Sequence, residues 1–225
     1  MNGFRTRNLA EFAANELRRR IISGEMELGR RVTEREVSEM LDIGRMPARE
    51  ALIALEHEGL IVSNSESRSV VSLDADAVAG LFEIRSILET MAVAQAAAKT
   101  TPERAVRLEG LLNNLRFGCE RQDSSLTTSA DLALHEEIWA QSNNMYLERC
   151  LRGIRGVVFV LVKRGSTHGK RNWEKLYQEH GAIVRAINEG QPEEAARLMR
   201  NNLQAASKHS IMVERLIAEE KAPVE

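Results

Sequence analysis

From Asp74 to the C-terminus the chain carries helical periodicity and almost nothing else. Apolar residues recur every three or four positions, and the pattern breaks only at short polar or Pro/Gly punctuation. This predicts helices over about 75–99, 102–122, 125–142, 145–164, 172–189 and 192–220. Thr101-Pro102-Glu103 starts one of them with Pro in the first turn, and Gly190-Gln191-Pro192 closes one and opens the next. Helices of this length joined by short loops must bury their apolar stripes against each other, so an antiparallel bundle is expected. A 4% aromatic content agrees with packed helices rather than a large sheet.

The first 73 residues differ. Leu9, Phe12, Ala13, Leu17 and Ile21 space a helix that Gly24 stops. Thr33-Glu34-Arg35-Glu36 is a capping box, in which Glu36 is expected to reach back to Thr33. The short helix after it buries Val37 and Leu41, and Asp42-Ile43-Gly44 turns the chain into a third helix with Pro47 in its first turn. Leu60–Val62 and Ser69–Leu73 read as a two-stranded hairpin, the one sheet expected. The fold class is therefore all-α with a small β-hairpin wing. Residues 1–73 form a winged helix-turn-helix, and residues 76–220 form a helical domain.

Net charge is −2, so no general attraction to nucleic acid exists. Residues 1–73 hold 11 Arg, no Lys and 12 acidic residues, so a DNA-binding surface has to be local. On the third helix, Ala48, Ala51, Leu52 and Leu55 share one face, while Arg45 and Arg49 stand one turn apart on the other. Arginines at the start of such a helix suit bidentate contacts to guanine or phosphate. Arg35 opens the preceding helix, where it can join them. Cys119 and Cys150 form no CxxC and read as reduced thiols, and the apolar run Val157–Val162 is too short to span a membrane. A cytoplasmic protein is expected.

The segments Leu17–Gly24, Leu28–Glu36, Arg45–Leu52 and Leu55–Leu60 together resemble the N-terminal domain of the GntR family of regulators. The resemblance implies that Arg35, Arg45 and Arg49 contact double-stranded DNA, with Met46 beside them, and that the wing tip enters the minor groove. It implies a homodimer on a short inverted repeat, more often a repressor. Gly44 stands where the family usually has Ser. Ser67-Arg68 stands where it usually has Arg-Gly, which makes Arg68 the wing's charge.

In the second domain, Asp131 and His135 lie one helical turn apart, a spacing that can chelate one divalent metal. With His180, Asn202, Asn143-Asn144 and Glu193-Glu194-Ala195-Ala196, they resemble the FCD domain of the FadR branch, in its shorter six-helix form. The resemblance implies a Zn or Ni site at Asp131, His135 and His180, with Asn202 where a third His is expected, which leaves the site open on that side and puts Asn202 among the effector-binding residues. It also implies that Arg85 holds the carboxylate of a small organic-acid effector; otherwise Arg85 and Glu89 form a surface pair. His209 lies seven residues further along the same helix, about 10 Å away, too far to replace Asn202. Lys163, Arg164, Lys170 and Arg171 read as a solvated basic cluster, and His57 and His168 as surface or loop residues. No di-iron Glu-x-x-His pair, HExxH helix or Gly-rich phosphate loop is present, so no catalytic residue is expected. A metal-dependent helical enzyme and an effector-independent dimeric DNA-binding protein are the competing readings.

Overall fold

The computed structural model describes residues 2–65, 67–168 and 172–221, which form two compact units. The first comprises residues 1–73 and 152–160; the second comprises 74–151 and 161–225.

In the first unit, α1 (Asn2–Ser23) packs on α3 (Arg45–His57), and α2 (Glu34–Leu41) packs on α3. Ala10, Ala13, Ala14, Leu17 and Ile21 form the buried stripe of α1. Leu9 and Phe12 lie off that stripe and are exposed. Ala48, Ala51, Leu52 and Leu55 are fully buried on α3, as their spacing requires. Thr33 caps α2 by accepting from the Glu36 amide at 3.1 Å. The Glu36 carboxylate, however, pairs with Arg30 and does not complete a reciprocal box. The sheet has three strands, one more than expected. Arg31–Val32 (β1), Ile61–Ser63 (β2) and Arg68–Val70 (β3) run antiparallel in the order β1-β3-β2, with Val32 opposite Arg68 and Ser63 opposite Arg68. A two-residue strand has no periodicity to read, so β1 left no signal in the sequence.

The expected helix over 145–164 is two helices, α7 (Met145–Arg152) and α8 (Arg155–His168), broken at Gly153-Ile154. The break has a packing cause. Residues 152–160 belong to the first unit, where the Gly156 amide donates to the Glu58 carbonyl at 3.0 Å and Val160 enters the core. Gly59, at φ +76°, comes so close that a Cβ on it would lie 2.6 Å from the Gly153 carbonyl oxygen. A Cβ on Gly156 would lie 2.5 Å from Leu60 Cγ. Glu58 is itself held by Arg18, through bonds of 2.8 and 2.6 Å.

In the second unit, α4 (Ala75–Ala98) packs along α10 (Pro192–Lys221) and against α6 (Ser124–Gln141) and α9 (Trp173–Asn188). α5 (Pro102–Glu120) packs on α6 and α9. Asp74, Thr101, Asp123 and Asn172 cap four of these helices. The buried stripe of α4 runs Val78, Phe82, Arg85, Glu89, Ala92, Val93 and Ala96, so two charged residues sit mid-stripe. Arg164 is not part of a solvated cluster: it grips the buried Glu214 on α10 with bonds of 2.7 and 2.6 Å. Lys170 and Arg171 lie outside the described residues. His168 is helical rather than in a loop, and its side chain also lies outside the described set. His57 ends α3 and is exposed.

Gly156→Ala is expected to lower the stability of the first unit by about 1–3 kcal/mol, the usual cost of overpacking, because the new methyl would meet the core side chain of Leu60 and the Glu58 carbonyl at the end of α3. Urea denaturation followed by circular dichroism measures it; Gly80→Ala, which meets open space, is the control.

Candidate DNA-facing surface and buried histidine site

Arg45 opens α3 behind an N-cap at Gly44, which has no side chain with which to cap. The structural consequence of Gly in place of Ser is therefore a helix start whose first amides face outward without an internal acceptor. Arg49 follows one turn later, and its side chain is 59% exposed. Arg35 is more exposed still and bonds Glu39 at 2.8 Å on its own helix. Met46 is exposed beside Arg45. Arg35, Arg45, Ser63, Asn64 and Ser67 line one open groove, so the start of each helix and the wing share a surface.

Arg68 departs from its expected position. It sits within β3, not at the tip, and donates to Glu34 at 2.9 Å, with Glu56 at 3.8 Å. Strand pairing on both sides holds its backbone in the sheet. The turn is closed instead by Asn64, whose Oδ1 accepts from the Ser67 amide at 2.8 Å. Glu34 is a residue that sequence reasoning passed over: it takes Arg68 and also stands 3.8 Å from Arg49. The signal was its place beside Arg35 at the start of α2.

In the second unit, the structure brings Asp131, His135 and His180 together, all buried. His180 Nε2 lies 2.8 Å from Asp131 Oδ1 and 3.3 Å from His135 Nε2. The other nitrogen of each ring faces an acceptor. His180 Nδ1 is 2.8 Å from the Leu176 carbonyl, one turn back on α9, and His135 Nδ1 is 2.5 Å from Glu89 Oε2. A carbonyl and a carboxylate can only accept, so both rings are assigned the Nδ1–H form. Their Nε2 lone pairs then converge with the Asp131 carboxylate, and the ligand atoms of the three residues lie within 4.8 Å of one another. The donor set fits a divalent metal.

Asn202 is not in this group. It lines a cavity of about 210 Å³ with Phe82, Lys175, Glu179 and His209, and its amide reaches Glu179 at 3.5 Å. Arg85 and Glu89 are no surface pair: they are 4% and 0% exposed. Arg85 Nε donates to Glu89 Oε1 at 2.7 Å, and its guanidinium lies 4.9 Å from the centroid of Phe82, which lines the cavity. Trp139 Nε1 donates to Glu89 Oε2 at 3.2 Å. Burial opposes the charged form of Glu89, but the Arg85 guanidinium beside it and the hydrogen bonds donated by His135 and Arg85 hold its carboxyl below the usual carboxylate range. Sequence reasoning gave Glu89 no role in the site. Its place four residues after Arg85, in the same buried stripe, was the available signal.

Residues 9–71 match the family described as bacterial regulatory proteins, gntR family, and residues 80–205 match the FCD domain. The gluconate operon transcriptional repressor of Bacillus subtilis (strain 168) is 28% identical over 180 residues, covering 77% of this chain and 73% of that protein. The transcriptional repressor NanR of Enterobacter sp. (strain 638) is 25% identical over 223 residues, covering 89% and 85%. Among solved structures, E. coli McbR/YncC shares the fold with a TM-score of 0.69 at 21% identity, over 89% of this chain and 97% of that one. A putative GntR regulator from Rhodococcus sp. RHA1 gives the same TM-score at 20% identity, over 90% and 97%.

Arg85→Met strands the Glu89 carboxylate in the core. Loss of one partner of a buried pair typically costs about 3–5 kcal/mol, and the expected result is a fall of that order in the urea midpoint stability of the second unit.

Proposed function

The chain belongs to the GntR family of bacterial regulators and carries an FCD domain, and we propose on that premise that it represses transcription as a homodimer bound to a short inverted repeat until a small organic acid enters the FCD domain. It is a DNA-binding transcription regulator, not an enzyme.

The observation that carries the DNA reading is the start of α3, where Arg45 and Arg49 stand exposed opposite a fully buried apolar face. An electrically neutral-to-acidic chain gains little from diffuse attraction, so binding rests on a few contacts per subunit and on pairing two subunits. An exposed apolar stripe on α4, formed by Ile84, Ile87 and Met91, supports pairing through the second unit. No helix among the described residues is long and apolar enough to cross a membrane.

Support for the effector reading comes from the cavity beside Asn202 and from Arg85. Among the described residues, only the Nε of Arg85 is matched to an acceptor, which leaves its Nη groups for a ligand carboxylate. Asp131, His135 and His180 would hold a Zn or Ni ion, with Asn202 outside the ligand set. Such an ion supplies positive charge for a carboxylate oxygen at its open positions. The shift in operator affinity can be no larger than the effector's preference between the two arrangements of the dimer.

Two measurements test this. In a mobility-shift assay at fixed salt on the region upstream of the neighbouring genes, Arg45→Ala with Arg49→Ala is expected to lose at least about tenfold in affinity, since each good base contact is worth about 1–3 kcal/mol; wild-type affinity in that variant would remove the recognition assignment. In thermal denaturation, Zn²⁺ or Ni²⁺ at about 100 times its Kd is expected to add about 2.7 kcal/mol, and Asp131→Ala or His180→Ala to abolish the gain.

A further inference from the structure

Glu89 is a carboxylate in a place where carboxylates are rarely found. It is fully buried on α4, and a buried charge is retained only against a cost of several kcal/mol unless it is fully paired. Its pairing is specific. One oxygen, Oε1, accepts from Arg85 Nε at 2.7 Å. The other, Oε2, accepts from His135 Nδ1 at 2.5 Å and Trp139 Nε1 at 3.2 Å. Every neighbour is a donor, so the arrangement requires the ionised, acceptor-only form.

The two histidines of the site are held differently. The ring of His180 is set by a neutral backbone carbonyl on its own helix, whereas the ring of His135 is set by a charged carboxylate from another helix. A charge-assisted bond to Nδ1–H is shorter and stronger than a neutral one, and it raises the basicity of the opposite nitrogen. Trp139, one turn beyond His135 on α6 and fully buried, anchors the same oxygen and keeps it facing the ring.

We propose that Glu89 is the positioning residue of the metal site: it locks His135 in the Nδ1–H form, aims the Nε2 lone pair at the ion, and through its second oxygen ties that ligand to Arg85. This rests on the reading of Asp131, His135 and His180 as a metal site. The α4 charges are thus not a surface pair: His135 and Arg85 share one buried carboxylate.

Glu89→Gln separates the possibilities, because the amide offers one acceptor and one donor where the carboxylate offers two acceptors. Its NH2 must face either Arg85, opposing a cation, or His135 and Trp139, which forces the His135 proton towards Nε2. The experiment is calorimetric titration of the metal-stripped full chain with Zn²⁺, paired with long-range 1H–15N NMR of the imidazole nitrogens in the metal-free protein, with His135 signals assigned by their absence in His135→Gln. Expected are a single Nδ1–H form of His135 in the wild type, loss of that single form in Glu89→Gln, and a Zn²⁺ affinity about 10- to 100-fold weaker, the usual effect of removing an outer-shell partner. Wild-type His135 in the Nε2–H form overturns the proposal without recourse to any variant that fails to fold. Affinity unchanged in Glu89→Gln, or reduced with the Nδ1–H form intact, overturns the role of Glu89 and leaves the metal site standing. No Zn²⁺ binding by the wild type removes the metal reading and the proposal together.

Discussion

A charge buried in a helical bundle must be answered by its neighbours, and in the second unit the answer to Glu89 organises everything around it. Arg85 from the same helix and His135 and Trp139 from α6 all donate to one carboxylate with no solvent exposure. Those bonds fix the rotamers of His135 and Arg85. Asp131 sits one turn before His135 on α6, and α9 brings His180 to the pair. The same polar core that makes the bundle less tolerant of substitution makes the site geometrically defined.

The first unit solves the opposite problem, keeping charges available on a surface. Its Lys and Arg positions are all arginines, and several of those described have a carboxylate within reach. Arg35 leans on Glu39, Arg68 on Glu34, and Arg49 stands near Glu34. Exposed pairs of this kind contribute little to stability, so DNA phosphates can displace the acids at small cost. Arg68 is the exception, since strands on both sides hold it and it is half-buried. It shapes the wing more than it reaches beyond it.

The N-terminal domain was largely legible because its signals are local. A capping residue, a turn, a proline in a first turn and a four-residue apolar face each act within one or two helical turns, and each was found where it stands. What escaped was either too short to carry a period or set by distant partners. β1 has two residues, and the division between α7 and α8 follows from Gly153 and Gly156 meeting Gly59 and Leu60 across nearly a hundred residues of sequence. Arg68 was assigned to the tip by counting from Val71, while strand pairing placed it in the sheet.

The sequence by itself determined which residues could do chemistry. The arginines opening α2 and α3, and Asp131 with His135, follow from helical spacing alone, because neighbours one turn apart share a face in any context. Only the tertiary structure decided how they are used. Bringing His180 to Asp131, turning Arg85 and Glu89 inward, and setting Asn202 against the cavity instead of beside the buried histidines all depend on how separate helices cross. Helix crossing is fixed by summed packing over whole faces, which no local pattern encodes.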